Sequence, residues 1–190
     1  MADQRVLEID DTLIARTLVG AQQHDVLRMV IAQHGHARLL VRGQRSEHFA
    51  PCGIEPGGID IEAERGAHAL LTTPAATKLY RADSHGVCWG QHTHLTVRPG
   101  ALLEWLPQET LCFDGARGVQ STTLDVQGDG CCVGWEVLAL GRPASQLPFA
   151  SGRVEQRFAL TRDGCPLWIE RQPLDPMHPR FHGHWGQGGS

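Results

Sequence analysis

Ile59-Asp60-Ile61-Glu62-Ala63-Glu64-Arg65-Gly66-Ala67 alternates apolar and polar residues up to a glycine, and Ala69-Leu70-Leu71 then resumes the chain in a more apolar run. Period-two alternation is the signature of a half-buried strand, and a glycine at the break supplies the positive φ that a tight turn needs. The pattern returns in Leu95-Thr96-Val97-Arg98-Pro99-Gly100-Ala101, in Leu124-Asp125-Val126-Gln127-Gly128-Asp129-Gly130-Cys131 and in Ala159-Leu160-Thr161-Arg162-Asp163-Gly164-Cys165. Aligned on Gly66, Gly100, Gly130 and Gly164, the units lie 34, 30 and 34 residues apart. In each the second strand is the more apolar: Ala101-Leu102-Leu103, Cys132-Val133-Gly134-Trp135 and Leu167-Trp168-Ile169 follow the later turns. An outer, half-exposed strand followed by an inner, buried one predicts stacked β-hairpins sharing a core. The expected fold is all-β, a two-sheet sandwich or a β-helix-like scaffold, with at most one or two short helices.

Outward from these units the same alternation continues in Arg5-Val6-Leu7-Glu8-Ile9, Thr12-Leu13-Ile14-Ala15-Arg16 and Ala37-Arg38-Leu39-Leu40-Val41, which read as further strands. Gly43 to Gly58 reads as a polar loop. The one helical expectation is short, Pro74 to Tyr80, with Thr72 and Thr73 placed to cap it. A chain of 190 residues, 41% of them apolar, builds one core, so residues 1–185 are taken as one domain and 186–190, Gly-Gln-Gly-Gly-Ser, as a disordered tail. Seventeen Lys and Arg against 21 Asp and Glu, interspersed, leave no basic face for nucleic acid. No stretch approaches the ~20 apolar residues of a membrane span, and the N-terminus has no secretory pattern, so a soluble cytoplasmic protein is expected. The six cysteines form no CxxC pair and read as reduced, mostly buried thiols. Adjacent Cys131 and Cys132 point to opposite faces of a strand and are poorly placed to chelate one zinc ion.

A search for catalytic apparatus finds no GxSxG elbow, phosphate-binding GxxxxGK[ST] loop, GxGxxG turn or HExxH helix. Metal binding has more support. His-x-His on a strand puts two imidazoles on one face, and the pattern occurs at His34/His36, His92/His94 and His182/His184, with His178 near the last. His92 and His94 are the candidate ligands, for nickel, zinc or copper alike. Surface histidines on an exposed strand face are the plainer explanation. Leu102 to Thr110 is odd in another way, because Glu104, Pro107, Gln108 and Glu109 interrupt an apolar strand that also carries Trp105. A carboxylate there is costly unless paired; Arg117 and Arg142 are candidate partners, and a polar channel or partner surface is the alternative. Trp135-Glu136 sets another acid in an apolar run before Gly141-Arg142-Pro143.

Three stretches together carry a resemblance: Leu70-Leu71-Thr72-Thr73-Pro74-Ala75-Ala76-Thr77-Lys78-Leu79-Tyr80-Arg81; Leu103-Glu104-Trp105-Leu106-Pro107-Gln108-Glu109-Thr110 with Phe113-Asp114-Gly115-Ala116; and Gly134-Trp135-Glu136 with Gly141-Arg142-Pro143. In order and separation they resemble the UreD (UreH) urease accessory family across about residues 53–171. The resemblance implies a β-rich scaffold without catalysis of its own. It binds the accessory protein UreF and, through it, the GTPase UreG, docks on the urease apoprotein and assists nickel insertion, with no cofactor held tightly and nickel only in transit. It marks Thr72, Thr73, Lys78, Tyr80, Glu104, Trp105, Gln108, Glu109, Asp114, Trp135, Glu136 and Arg142 as family-motif residues for a nickel path or docking surface. On this reading Glu104, Glu109, Asp114 and Glu136 line a polar path or partner surface within the β core. The chain departs from the family in having Cys52-Gly53-Ile54-Glu55-Pro56-Gly57-Gly58-Ile59 in place of a glycine-rich stretch ending in aspartate, and in being shorter than most members. Two rival functions remain: a free-standing nickel or zinc buffer built on the His-x-His pairs, and a hydrolase or isomerase built on the embedded acids.

Overall fold

The computed structural model describes residues 4–9, 29–34, 37–42, 57–73, 75–82 and 88–183. Its strands are β1 (Gln4–Ile9), β2 (Met29–His34), β3 (Ala37–Arg42), β4 (Gly57–Ala63), β5 (His68–Thr72), β6 (Thr77–Leu79), β7 (Trp89–Val97), β8 (Leu102–Leu106), β9 (Thr110–Cys112), β10 (Arg117–Val126), β11 (Cys131–Gly134), β12 (Leu138–Leu140), β13 (Arg153–Arg162) and β14 (Cys165–Leu174). Short 3-10 turns at Pro143–Ser145 and Pro179–His182 are the helical elements among the described residues. The strands form a seven-stranded sheet β1-β3-β4-β7-β10-β13-β14, a four-stranded sheet β11-β8-β5-β2 and a three-stranded sheet β12-β9-β6.

The all-β expectation holds, but the hairpins are mostly corners. β4, β7, β10 and β13 pair in parallel, as do β5, β8 and β11, and β6, β9 and β12. The chain therefore coils: each rung contributes one strand to each of three sheets and stacks on the rung before, nearer to the β-helix-like alternative than to a hairpin sandwich. The corners show why. In Arg98-Pro99-Gly100-Ala101 the Ala101 N–H donates to the Arg98 carbonyl at 3.0 Å and Gly100 has φ +72°, a proline-glycine turn of the type II pattern. Such a turn does not match the twist that folds a strand back on its predecessor, so the second strand leaves for another sheet. The fourth unit differs: Asp163 and Gly164 have φ of 50° and 77°, as a type I′ hairpin turn requires, and β13 and β14 pair antiparallel. In the third unit the left-handed glycine is Gly128, not Gly130.

Other expectations are corrected or lie elsewhere. Thr77–Leu79 is strand rather than helix, because a three-residue element paired in parallel with β9 gains ladder bonds that a lone helical turn lacks. β1 and β3 fall where alternation placed strands, while Thr12–Arg16, most of the 43–58 loop and the 186–190 tail lie outside the described residues. No helix among the described residues is long and apolar enough to cross a membrane. Of the five described cysteines, all free, Cys112 is buried but Cys131 and Cys165 are exposed, so the thiols are not mostly buried.

Inside the coil, residues at inward parity stack from rung to rung: Ile61, Leu95 and Leu124 lie in register, as do Ala63, Val97 and Val126. They belong to one apolar cluster with Leu71, Leu103 and Trp105, while Leu79, Cys112, Val154, Phe149 and Phe181 form a second. Truncating a buried leucine such as Leu95 or Leu103 costs about 2–5 kcal/mol. The same inward parity also carries polar residues. Gln91, Gln120 and Gln156 lie in register across three strands, next to Thr93 and Thr122. Gln91, Gln120, Thr93 and Thr122 are buried, and Gln120 Oε1 has no hydrogen-bond partner.

Candidate functional site

The four-stranded sheet ends at β11 and the three-stranded sheet at β12, while the seven-stranded sheet runs on through β13 and β14. The fourth rung thus contributes strands to one sheet only; Phe149 and Phe181 pack on its β12 side, and a cavity of about 440 Å³ lies on its β11 side. Leu103, Trp105, Cys132, Glu136, Gln156 and Phe158 line it, with Glu170 and Gln172 contributed by β14.

Glu136 is the acid that enters the coil. Local geometry puts it there: a Cβ on Gly134 would stand 2.9 Å from the Trp105 carbonyl oxygen, so only glycine lets the end of β11 lie this close to β8. Trp135 then turns outward, its indole Nε1–H donating to the Pro107 carbonyl at 3.3 Å, and the next side chain points in. Glu136 Oε1 accepts from Trp105 Nε1 at 3.3 Å and from the Thr122 hydroxyl, and Oε2 accepts from Gln156 Nε2 at 3.2 Å. Burial outweighs these donors and pushes the carboxyl above its ordinary range. The result is a desolvated carboxylate, held by neutral donors, at the polar end of the Gln91-Gln120-Gln156 row.

A second cluster sits on the outer corner where each rung leaves the three-stranded sheet. Tyr80 stacks on Phe113 with centroids 5.0 Å apart and planes at 13°, and the Arg142 guanidinium lies over the Phe113 ring, 4.8 Å from its centroid. These are the positions just past β6, β9 and β12, so the stack follows from the coil. Tyr80 remains 59% exposed and Arg142 is exposed. Beside it Asp114 Oδ1 accepts from the Ser151 backbone N–H at 2.7 Å, the Ser151 hydroxyl at 2.8 Å and the Ala150 N–H at 3.2 Å, and Oδ2 accepts from Arg81. The Ser151 hydroxyl, foremost among these donors, holds the Asp114 carboxyl below its usual range. Residues from all three motifs meet here.

The remaining motif residues bind neighbouring rungs together. Thr72 donates to the Leu106 carbonyl at 2.7 Å, and the buried Thr73 accepts from the Gln108 N–H at 2.9 Å. Lys78 and the Gln108 side chain are exposed. Glu104 does not pair with Arg117 or Arg142: it lies at outward parity on β8, and His68 on β5 meets it at 2.5 Å. Glu109 is half-buried, and its carbonyl accepts from the Thr77 N–H at 3.0 Å. The four acids Glu104, Glu109, Asp114 and Glu136 are therefore not gathered along one interior path; Glu136 alone of them faces the cavity. His92 and His94 do share a face of β7, but each is already hydrogen-bonded within the sheet. His92 Nδ1 meets the Ser121 hydroxyl, and His94 lies between Asp125, at 2.7 Å, and Asp60, at 3.6 Å. Partial burial first, and Arg157 second, hold the His92 imidazole below its ordinary value. No group of three or more metal-ligating side chains forms among the described residues. His34, His36 and His184 lie where no side chain is described.

Thr122, Gln156 and Glu170 were not legible as site residues from single stretches. The signal available was parity: Gln156 falls on the inward side of the Val154, Phe158, Leu160 row, where an apolar residue is expected.

The profile of the UreD urease accessory protein family matches residues 57–190. A urease accessory protein UreD of Chromohalobacter salexigens is 86% identical over 76% of this chain and 50% of its own length. Relatives of the same name in Marinobacter nauticus and Pseudoalteromonas translucida are 64% and 62% identical over 74% of this chain, covering 48% and 47% of their own lengths. The chain spans about half the length of the curated relatives it matches. With its three motif stretches stacked on successive rungs and its sequence matched from β4 onward, the chain belongs to the UreD urease accessory protein family.

Proposed function

We propose that this protein works in urease maturation as a non-catalytic accessory chaperone in the cytoplasm, binding UreF, UreG and the urease apoprotein and assisting nickel insertion. The observation that carries the reading is the family match from residue 57 to 190, backed by relatives called urease accessory proteins. The geometry supports a passage role over a storage role. Glu136 and Glu170 face one cavity with Gln156 and Gln172, an oxygen-rich lining that offers Ni²⁺ weak, exchangeable contacts. A conduit needs such contacts, because an ion held tightly does not leave. The Gln91-Gln120-Gln156 row leads from the interior to this point. Nickel is cargo in this account, and the chain's part is to expose carboxylate and amide oxygens along a protected route. The outer Tyr80-Phe113-Arg142 stack is the better docking candidate, since exposed aromatic and arginine side chains on a rigid corner are the usual anchors of protein interfaces.

A free-standing nickel or zinc buffer has less behind it, because His92 and His94 are already bonded to Ser121, Asp125 and Asp60. Co-purification decides between the two. Affinity-tagged protein from nickel-replete cells should bring down UreF and urease apoprotein, with substoichiometric nickel. Tight binding of several nickel ions by the protein alone, without those partners, would overturn the proposal.

A further inference from the structure

Guanidinium groups gather at one end of the outer face of the seven-stranded sheet. Arg117 and Arg153 open β10 and β13, stand opposite each other in register, and are both exposed. Arg81 joins them from the preceding corner: its backbone bridges Ala116, and its side chain crosses Gly115, where a Cβ would stand 2.8 Å from its Cγ. Arg157 and Arg171 follow on the same face, again in register. In the chain Arg81, Arg117 and Arg153 lie 36 residues apart, so stacking of the corners, not a local run of charge, brings them together. Three carboxylates lie nearby, each with partners of its own. Asp114 accepts from Arg81, Ser151 and Ala150, the buried Glu155 lies 2.5 Å from both Arg157 and Arg171, and Asp175 accepts from the Met177 N–H. Arg117 and Arg153 form no ion pair among the described residues. Towards the other end the same face turns acidic, with Asp60 and Asp125 flanking His94 and Glu62 meeting Arg98. The face is therefore polarised along its strands, on a chain whose formal net charge is −4.

We propose that the arginine end of this face docks a short acidic segment of a protein partner, one that presents two or more carboxylates on one side. The inference rests on the docking reading of the outer corner given above and names the chemistry that the corner takes. Guanidinium forks bind carboxylates through paired hydrogen bonds, and Arg117 and Arg153 present theirs to solvent side by side. The Tyr80-Phe113-Arg142 stack adjoins them through Asp114 and Arg81 and adds apolar contact beside the charge. A long polyanion suits the face less well. Laid along the strands it would run from the arginines onto Asp60, Glu62 and Asp125, whereas a short segment ends before them.

The test titrates the full chain into a fluorescein-labelled hexaglutamate peptide and follows anisotropy. Binding should saturate, and raising the salt from about 50 to 300 mM should weaken it at least tenfold. Arg117→Gln combined with Arg153→Gln should also weaken it at least tenfold. Arg65→Glu changes the net charge by the same two units at an exposed turn about 30 Å away along the strands, and should leave binding within twofold. Arg117→Lys with Arg153→Lys keeps the charge and should stay within fivefold of the parent, so a folding defect cannot pass for a lost contact. No saturable binding, equal effects of the glutamine pair and Arg65→Glu, or tighter binding of a short duplex DNA with the same dependence on Arg117 and Arg153 would each overturn the proposal. Co-purification of tagged variants keeps the two readings apart, and loss of UreF and urease apoprotein with both Tyr80→Ala and the glutamine pair is expected. Partners lost with Tyr80→Ala but kept with the glutamine pair would overturn the acidic occupant and leave the docking corner standing; partners kept with both would overturn the corner as well.

Discussion

Replacing Glu136 separates the two things its carboxylate does. Glu136→Ala strands three donors, Trp105 Nε1–H, the Thr122 hydroxyl and Gln156 Nε2–H, in a cavity that admits water. A buried donor left unpaired costs about 1–3 kcal/mol, and water entering the cavity recovers part of three such losses, so about 1–3 kcal/mol in total is expected. Glu136→Gln behaves differently. Its carbonyl still accepts from Trp105 and Thr122, a flipped Gln156 amide accepts from the new NH₂, and a desolvated charge is gone. Its stability at pH 7 should lie within about 1 kcal/mol of the parent. The pH dependence gives the sharper test. Burial raises the folded-state carboxyl above the ordinary carboxylate range, so the fold prefers the protonated form. That contribution is full below the unfolded-state value and is lost as pH rises through the raised one. Urea denaturation of parent and Glu136→Gln from pH 4 to 8 should therefore show the difference between them moving in favour of the variant as pH rises. A Glu136→Gln protein as unstable as Glu136→Ala, or a difference independent of pH, would refute the placement of this carboxylate.

Asp114→Ala removes the acceptor that holds Ser151 and Ala150 to the outer corner; it should cost about 1–3 kcal/mol and speed proteolytic cleavage between residues 147 and 152. Glu155 titrates in the opposite sense to Glu136. The hydrogen bond from Arg171, with Arg157 assisting against burial, draws it down to about 2, so its contribution is present above 4.5 and lost as pH falls towards 2. Acid unfolding of Glu155→Gln should accordingly show a shallower slope in that range than the parent. His92→Ala with His94→Ala should leave urease activation in cells unchanged, whereas Glu136→Gln should lower it at least tenfold while the protein still accumulates; a reversed pattern would move the nickel contact to the histidines.

How much could be read beforehand depended on the range of the interaction. Alternation in Ile59–Ala63, Thr93–Val97 and Thr122–Val126 reports a strand with one buried face, and the first, third and fifth residues of each are buried. It does not report which strand lies alongside, so the same pattern fitted a hairpin and a coil corner. Pro99-Gly100 against Asp163-Gly164 held the distinction, since the first pair suits a corner turn and the second a hairpin. Glu136 was visible as an acid in an apolar run, and so was Glu104. Their opposite fates rest on one residue of parity and on Gly134, which lets Trp135 turn out and Glu136 turn in. Partners thirty or more residues away, such as His68 for Glu104 and Ser151 for Asp114, are set by rung stacking and leave no local trace.

The nickel content of urease purified from cells with and without this chain's gene tests the proposed role in nickel delivery most directly. Deletion should leave urease subunits at normal abundance but nearly free of nickel and inactive, with activity restored by the gene supplied on a plasmid. Urease fully loaded with nickel and fully active in the deletion strain would contradict it.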